Sequence, residues 1–403
     1  MLIRNHMIEN KITAFALIQK PILKSLAVHL SLFSILYLLF HILDIGFVLP
    51  STKTLLKWDA LWYYEIKEYG YSYIPNTQNS TAFFPLFPFL WKLLHLNAFG
   101  ISIVNLILFY TSYYFLASHM TLSFNQSLIN LTNPLLVFCW LPYSESIFFL
   151  GSTLLLVGLN KSKPNMVIPG LILATLSRSV GVIFIPAIIF TCLITSSHWK
   201  NIEMWRKICL YISIIIICTL FVFYIQYLYT NEWFVFFETQ KAWYRELRTP
   251  TLPFSSRLSD LQVFWIDILA LFVALFSVFK ICIITYNYLF GSTNRIQMEP
   301  IFIFSASYIA LMGITSIFFS GVWDEGKGTL LMSLTRFIFA TPFFICLLQY
   351  LKLEHQKINT ILLTIASFII SVLLYGGYKQ LDYHESYVRT LLYILNIVFY
   401  ISL

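Results

Sequence analysis

Long apolar runs separated by short polar breaks recur along the whole chain, and several reach the roughly 18 residues a membrane-crossing helix needs. The first spans residues 25–50, and others cover 101–118, 133–141, 147–159, 207–230, 261–279, 300–319, 330–351 and 358–374, with a last one closing the chain. A further run, 167–195, is interrupted by Arg178 between Ser177 and Ser179. Two short spans meeting at Arg178 keep the cluster Lys200, Arg206 and Lys207 on the same side as the basic N-terminus, in line with the positive-inside bias. The pattern therefore predicts an all-α polytopic membrane protein of roughly 11–12 transmembrane helices.

Continuous apolar runs exclude a transmembrane barrel, whose strands are shorter and alternate. With Arg4, Lys11, Lys20 and Lys24 held in the cytoplasm, the first span delivers residues 50–98 to the extracytoplasmic side. Residues 83–96 are apolar but short and carry Pro85 and Pro88, which predicts a juxtamembrane helix rather than a crossing. The same count puts Glu145, Arg178 and a second large loop, 231–260, on that side. With no internal repeat and no appended soluble segment, residues 1–403 read as a single transmembrane domain.

Composition agrees. The sequence is 59% hydrophobic and only 11% charged, far from a soluble average. The formal charge of +8 is scattered between apolar runs, so it calls for anionic lipid headgroups and not for nucleic acid. The first run is too long for a signal-peptide core and ends without a small-residue cleavage site, so it reads as an anchor. Six cysteines stand singly in apolar runs and read as small buried hydrophobes with neither disulfide nor metal spacing. The histidines likewise show no ligand spacing, so no metal or other cofactor is expected.

The chemistry gathers on ionic residues that the membrane makes expensive. A charge at the centre of a membrane helix costs about 2.5–3.5 kcal/mol on insertion scales, so Arg178 and Arg336 require partners or a wet cavity. An outward-opening cavity shared with Asp59 and Glu145 satisfies both arginines. Guanidinium forks suit a phosphate, a carboxylate can take a proton from an attacking hydroxyl, and the rings of Trp58, Trp62 and Trp243 can stack on a sugar. Tyr63 and Gln240 complete the candidate substrate contacts. A transporter or flippase of lipid-linked sugars is the alternative, but paired interrupted helices are not visible.

Trp58-Asp59-Ala60, followed by Ile66, Gly70-Tyr71 and Ala82-Phe83-Phe84-Pro85-Leu86-Phe87-Pro88, resembles the signature of the PIG-V family, the second mannosyltransferase of glycosylphosphatidylinositol (GPI) assembly, and its prokaryotic relatives. Asn133-Pro134 with Tyr143-Ser144-Glu145-Ser146, Arg178 with Gly181, and Thr335-Arg336-Phe337 with Pro342 extend the resemblance over most of the chain. It implies a GT-C-type glycosyltransferase with a catalytic first extracytoplasmic loop. Asp59 would be the general base of an inverting, metal-independent transfer of mannose from a polyprenyl (dolichyl)-phosphate-mannose donor to a glycolipid acceptor. The acceptor stays open between a GPI precursor, a bacterial glycolipid and a protein hydroxyl.

Eukaryotic members carry an Asp-Thr-Ser-like element where this chain has Pro50-Ser51-Thr52-Lys53, and Asn79-Ser80-Thr81 forms a glycosylation sequon beside the proposed site. Both favour a prokaryotic relative in the cell membrane. A eukaryotic member would lie in the endoplasmic reticulum membrane and could carry a small membrane-protein subunit.

Overall fold

The computed structural model describes residues 2–43, 50–196, 200–255, 265–290, 298–321, 328–331 and 333–351. The helices are α1 (Leu2–Ile42), α2 (Thr52–Leu55), α3 (Asp59–Tyr69), α4 (Leu86–Leu93), α5 (Ala98–His119), α6 (Phe124–Leu131), α7 (Glu145–Asn160), α8 (Pro164–Ser177) and α9 (Phe184–Thr195). They continue as α10 (Ile202–Thr230), α11 (Val235–Ala242), α12 (Trp265–Phe290), α13 (Pro300–Phe318), α14 (Leu334–Phe339) and α15 (Pro342–Tyr350). Four two-residue strands, β1 (Glu246–Leu247), β2 (Phe254–Ser255), β3 (Phe319–Ser320) and β4 (Thr329–Leu330), pair as antiparallel β1–β3 and parallel β2–β4.

Local chemistry sets the boundaries. Pro164, Pro300 and Pro342 open α8, α13 and α15, where the missing N–H costs nothing. Ser123 and Gln126 form a reciprocal capping box on α6, and Asn201 accepts from the Glu203 N–H at the start of α10. At its other end α10 stops on Asn231 in the left-handed region, φ 57°.

Five helices among the described residues are long and apolar enough to cross a membrane: 19–39 within α1, α5, α10, 267–290 within α12, and α13. On α10 and α12 the outward positions are Ile216, Ile217, Leu220 and Phe221, and Phe272, Leu275 and Phe279. Such apolar faces suit lipid as solvent. Three shorter apolar segments, Glu145–Asn160, Pro164–Ser177 and Ser179–Thr195, accompany them. At 1.5 Å per residue α7 and α8 reach about 24 and 21 Å, less than the roughly 30 Å hydrocarbon core.

Two expected crossings are not continuous helices. Residues 133–141 hold a six-residue 3-10 segment, Pro134–Cys139, which rises only about 12 Å. Residues 330–351 break into α14 and α15 at Ala340-Thr341, just before the fixed φ of Pro342. The crossings expected after residue 352 lie outside the described residues. Cys139, Cys218 and Cys346 are buried, as expected, but Cys209 and Cys282 are exposed, because their positions on α10 and α12 face away from the packed side.

By contact the chain forms two compact units. Among the described residues, one comprises 2–43 and Pro50 with Tyr110–Val137. Within it, α1 meets α6 through a 2.6 Å hydrogen bond between the hydroxyls of Ser25 and Ser127, and the Tyr113 hydroxyl donates to the Ser127 carbonyl at 2.8 Å.

The other unit, Ser51–Phe109 with Phe138–Lys352, contains every candidate site residue. Its organising element is the α7–α8 hairpin. A Cβ on Gly170 would lie 2.6 Å from the Leu155 backbone nitrogen, and one on Gly158 would lie 2.8 Å from that of Val167. Glycine lets the two backbones touch, and the touching fixes the register. Antiparallel pairing then brings the first residue of α7, Glu145, level with the residue that ends α8, Arg178. At Arg178 the backbone becomes extended (φ −151°, ψ 142°) and turns through a 3-10 segment, Ser179–Ile183. Gly181 makes the turn possible, since a Cβ there would meet Thr175 Cα at 2.7 Å. The interruption at Arg178 is therefore a real break, but α9 packs on α13 and α10 rather than along α8. Its Phe184 fits among Phe148, Phe304, Tyr308 and Phe343.

The first loop is equally built. α3 packs on the short helix α4 through Tyr63 against Phe87 and Tyr64 against Trp91. The sequon residue Asn79 is 3% exposed. Its amide donates to the carbonyls of Ile74 and Thr77 and its oxygen accepts from the Ile74 N–H. Asn79 is a loop staple with no room for a glycan in the folded chain.

Candidate functional site

Helix ends supply the ionic groups, and each sits where the helix field favours it. Asp59 and Glu145 occupy the first turns of α3 and α7, where exposed N–H groups attract anions. Arg178 caps the carbonyl end of α8, where cations are favoured. Arg336 comes from the one-and-a-half-turn helix α14. That helix is pinned from α12 by Asp267, whose carboxylate accepts the Thr335 N–H at 3.2 Å.

These four side chains form one alternating chain of charge. Arg336 Nη2 lies 2.6 Å from Asp59 Oδ2, and Arg336 Nε lies 3.0 Å from Glu145 Oε1. The same Glu145 oxygen is ion-paired with Arg178 Nη1. Burial separates the two acids: the Glu145 side chain is 3% exposed and that of Asp59 22%. Glu145 is sealed between two guanidiniums, whereas Asp59 is held through Oδ2 and remains reachable from outside.

The aromatic residues frame this chain. Phe138 and Tyr143 lie 5.5 and 5.6 Å from the Arg336 guanidinium. Tyr63 hydrogen-bonds the Ser144 hydroxyl at 2.7 Å, one residue before Glu145. Burial, and then the nearby Glu145 carboxylate, pushes the Tyr63 phenol above its ordinary range, so it remains an O–H donor. Trp62, Phe83 and Trp243 form a mutual cluster with ring centroids 5.7–6.1 Å apart. Tyr63 packs edge-on against Phe83 at 5.1 Å, which joins that cluster to the ionic chain. The Trp243 indole N–H is buried without a hydrogen-bond partner.

Of the residues singled out from the sequence, Asp59, Tyr63, Glu145, Arg178 and Arg336 thus come together, with Trp243 one ring away. Trp58 is exposed beside Asp59 and carries a strained backbone, φ 50° and ψ −126°. Gln240 contributes through its carbonyl, which accepts the Arg245 N–H at 2.9 Å and closes the turn after α11.

Arg245 is the residue that sequence reasoning missed. Three guanidiniums approach the Phe337 ring: Arg178 at 4.8 Å, Arg336 at 5.8 Å and Arg245 at 5.9 Å. Burial, and then repulsion from Arg336, lower the Arg245 pKa to about 10, so it is still a cation at neutral pH. In the sequence it is one arginine among several in an aromatic loop. Its position is set at long range by β1–β3 pairing and by Gly321, where a Cβ would meet the Tyr244 carbonyl at 2.3 Å.

Fold and site together define a helical membrane protein with a buried ion-pair chain ending in a reachable carboxylate. Comparison with known proteins adds nothing to that description, since no family model, no curated protein and no solved structure matches the chain.

Proposed function

We propose that this protein is a membrane glycosyltransferase that moves mannose from a polyprenyl-phosphate-mannose donor onto a glycolipid acceptor, with inversion, in the manner of the PIG-V branch of the GT-C superfamily. The observation that carries the reading is the chain Asp59–Arg336–Glu145–Arg178, in which all four groups are ion-paired and Asp59, at the end of the chain, is held through one oxygen only. Among the described residues Asp59 Oδ1 accepts no hydrogen bond, so it can receive a proton. Arg336 fixes the other oxygen and thereby the direction of that lone pair. Protonation of a positioned carboxylate by the attacking hydroxyl contributes roughly 10²–10⁴-fold to rate. Arginines at the leaving group stabilise the phosphate that departs.

The aromatic cluster Trp62, Phe83 and Trp243 offers ring faces and one unpartnered N–H, a pairing that suits a sugar. The exposed apolar flanks of α10 and α12 suit a polyprenyl chain lying in lipid, where its cost of solvation is lowest. The GT-C bundle and the cell membrane belong to the same reading.

The test is transfer by the purified protein from radiolabelled polyprenyl-phosphate-mannose to lipids extracted from its own host. Asp59→Asn should insert and unfold as wild type does while losing transfer by roughly 10²-fold or more. Transfer at the wild-type rate by that variant removes Asp59 as base, and absence of transfer by the wild type with any polyprenyl-phosphate sugar removes the enzyme.

A further inference from the structure

Three cations meet two carboxylates in this site. Arg178 is ion-paired with Glu145, and Arg336 with both Glu145 and Asp59. Arg245 lies 5.9 Å from the Phe337 ring that both of them also approach and, among the described residues, forms no ion pair. One positive charge is left over, half-buried, where desolvation makes it costly. A site with a surplus buried cation is complementary to an anion of matching charge.

We infer that Arg245, with Arg178 and Arg336 around Phe337, forms a phosphoryl-binding subsite whose net charge of one balances a monoanionic phosphodiester and follows the phosphate as its charge changes. This rests on the function proposed above and assigns the residue that meets the donor's phosphate.

The charge argument can be followed through the transfer. Before reaction, Asp59 and Glu145 are anions, the three guanidiniums are cations, and the bound phosphodiester carries one negative charge, so the assembly is neutral. In the step, the acceptor oxygen forms a bond to the anomeric carbon and its proton goes to Asp59. The bond between that carbon and the phosphate oxygen breaks, and its electron pair stays on the phosphate. Neutral Asp59 leaves the protein part with two positive charges, and the departing phosphomonoester now carries two negative ones. The assembly is neutral again. No charge is stranded in a medium where an unpaired one is expensive, and Arg336, released from the neutralised Asp59, is free to turn to the phosphate.

The test is equilibrium binding of polyprenyl phosphate to the full chain in phosphatidylcholine nanodiscs, with inorganic phosphate and phosphatidylglycerol as separate competitors. Arg245→Gln should weaken binding roughly 10- to 100-fold, the range of a charged hydrogen bond, while Arg245→Lys keeps most of it. Asp59→Asn, which adds a positive charge, should tighten polyprenyl phosphate by roughly 10-fold, and the double variant should return close to wild type. Lys241→Gln, an exposed cation paired with Glu238, should change nothing.

Equal affinity in wild type and Arg245→Gln, with both unfolding at the same temperature, overturns the assignment. Competition by phosphatidylglycerol as strong as by polyprenyl phosphate overturns the polyprenyl carrier as the ligand, and binding of inorganic phosphate with the same affinity overturns a lipid-carried phosphoryl group altogether. The charge series holding while no sugar is transferred leaves this subsite standing and brings down the transferase. Transfer lost in Asp59→Asn, with binding indifferent to Arg245, does the reverse.

Discussion

Glu145 and Arg178 face each other because α7 and α8 are antiparallel and close in length, so the first residue of one meets the residue that ends the other in a buried ion pair. The pair is also a junction, since Glu145 carries Arg336 on the same oxygen and Arg336 carries Asp59. A carboxylate that compensates two guanidiniums has a predictable cost of removal. Glu145→Gln should destabilise the protein by about 3–5 kcal/mol, the penalty of leaving buried charge unpaired. Glu145→Leu combined with Arg178→Met should cost less than the sum of the two singles. Thermal unfolding in detergent at several denaturant concentrations reads both, and additive losses would mean the pair is not coupled.

The hairpin holds the site at a distance. Gly170 lies against the Leu155 backbone, so Gly170→Ala must push α7 and α8 apart, at roughly 1–3 kcal/mol for an overpacked contact. Displacing Glu145 from Arg178 should lower transfer as well as stability, although no site residue is touched. Ile172→Ala, on an exposed position of the same helix, should leave both unchanged. Unaltered activity in Gly170→Ala would show that the register is tolerant.

Trp58 precedes Asp59 in a backbone conformation that only glycine adopts cheaply. Strain of this kind costs about 1–3 kcal/mol and here aims the first residue of α3. Trp58→Gly should therefore unfold at the same or a higher temperature despite losing a large side chain, whereas Trp58→Val should unfold lower. A Trp58→Gly protein markedly less stable than wild type would show that ring contacts, not backbone strain, govern this position.

Tyr63 gives a pH signature. Its phenol is raised by burial, so in the unfolded chain it ionises near pH 10 and in the folded chain only above that. Above about pH 10 the unfolded state holds fewer protons, and stability falls as pH rises through the folded value. Tyr63→Phe removes that loss. At pH 8 the variant should be less stable than wild type by about 1 kcal/mol, the worth of its hydrogen bond to Ser144, and the gap should close towards pH 11. A constant gap would mean the phenol titrates normally.

Much of this was legible in the chain. Periodicity and length predict the helices α5, α10, α12 and α13, since an apolar run that must satisfy its own backbone in lipid has no other form. The ionic residues were legible for the same reason: Arg178 and Arg336 are conspicuous only because lipid makes them costly. The proline pair predicts the short α4, and the Ser-Arg-Ser interruption predicts the break at Arg178. Apolar runs that are buried within the protein gave a false signal, because hydropathy cannot tell a residue packed on protein from one facing lipid. Residues 133–141 and 330–351 are such runs, and they form a 3-10 segment and two short helices.

Arg245 had no legible signal. Neither its spacing nor its neighbours set it apart in an aromatic loop that also holds Arg248 and Arg257, and its place beside Phe337 depends on strand pairing between residues 246–247 and 319–320. The sequence by itself determined that this is a helical membrane protein whose buried charges need one another, because solvation cost is a property of residue type and run length. Which charges meet, which carboxylate is sealed and which stays open, and that a third guanidinium completes the set, only the tertiary structure decided. Those are matters of distance between segments far apart in the chain, and a Coulombic pairing leaves no periodic trace along it.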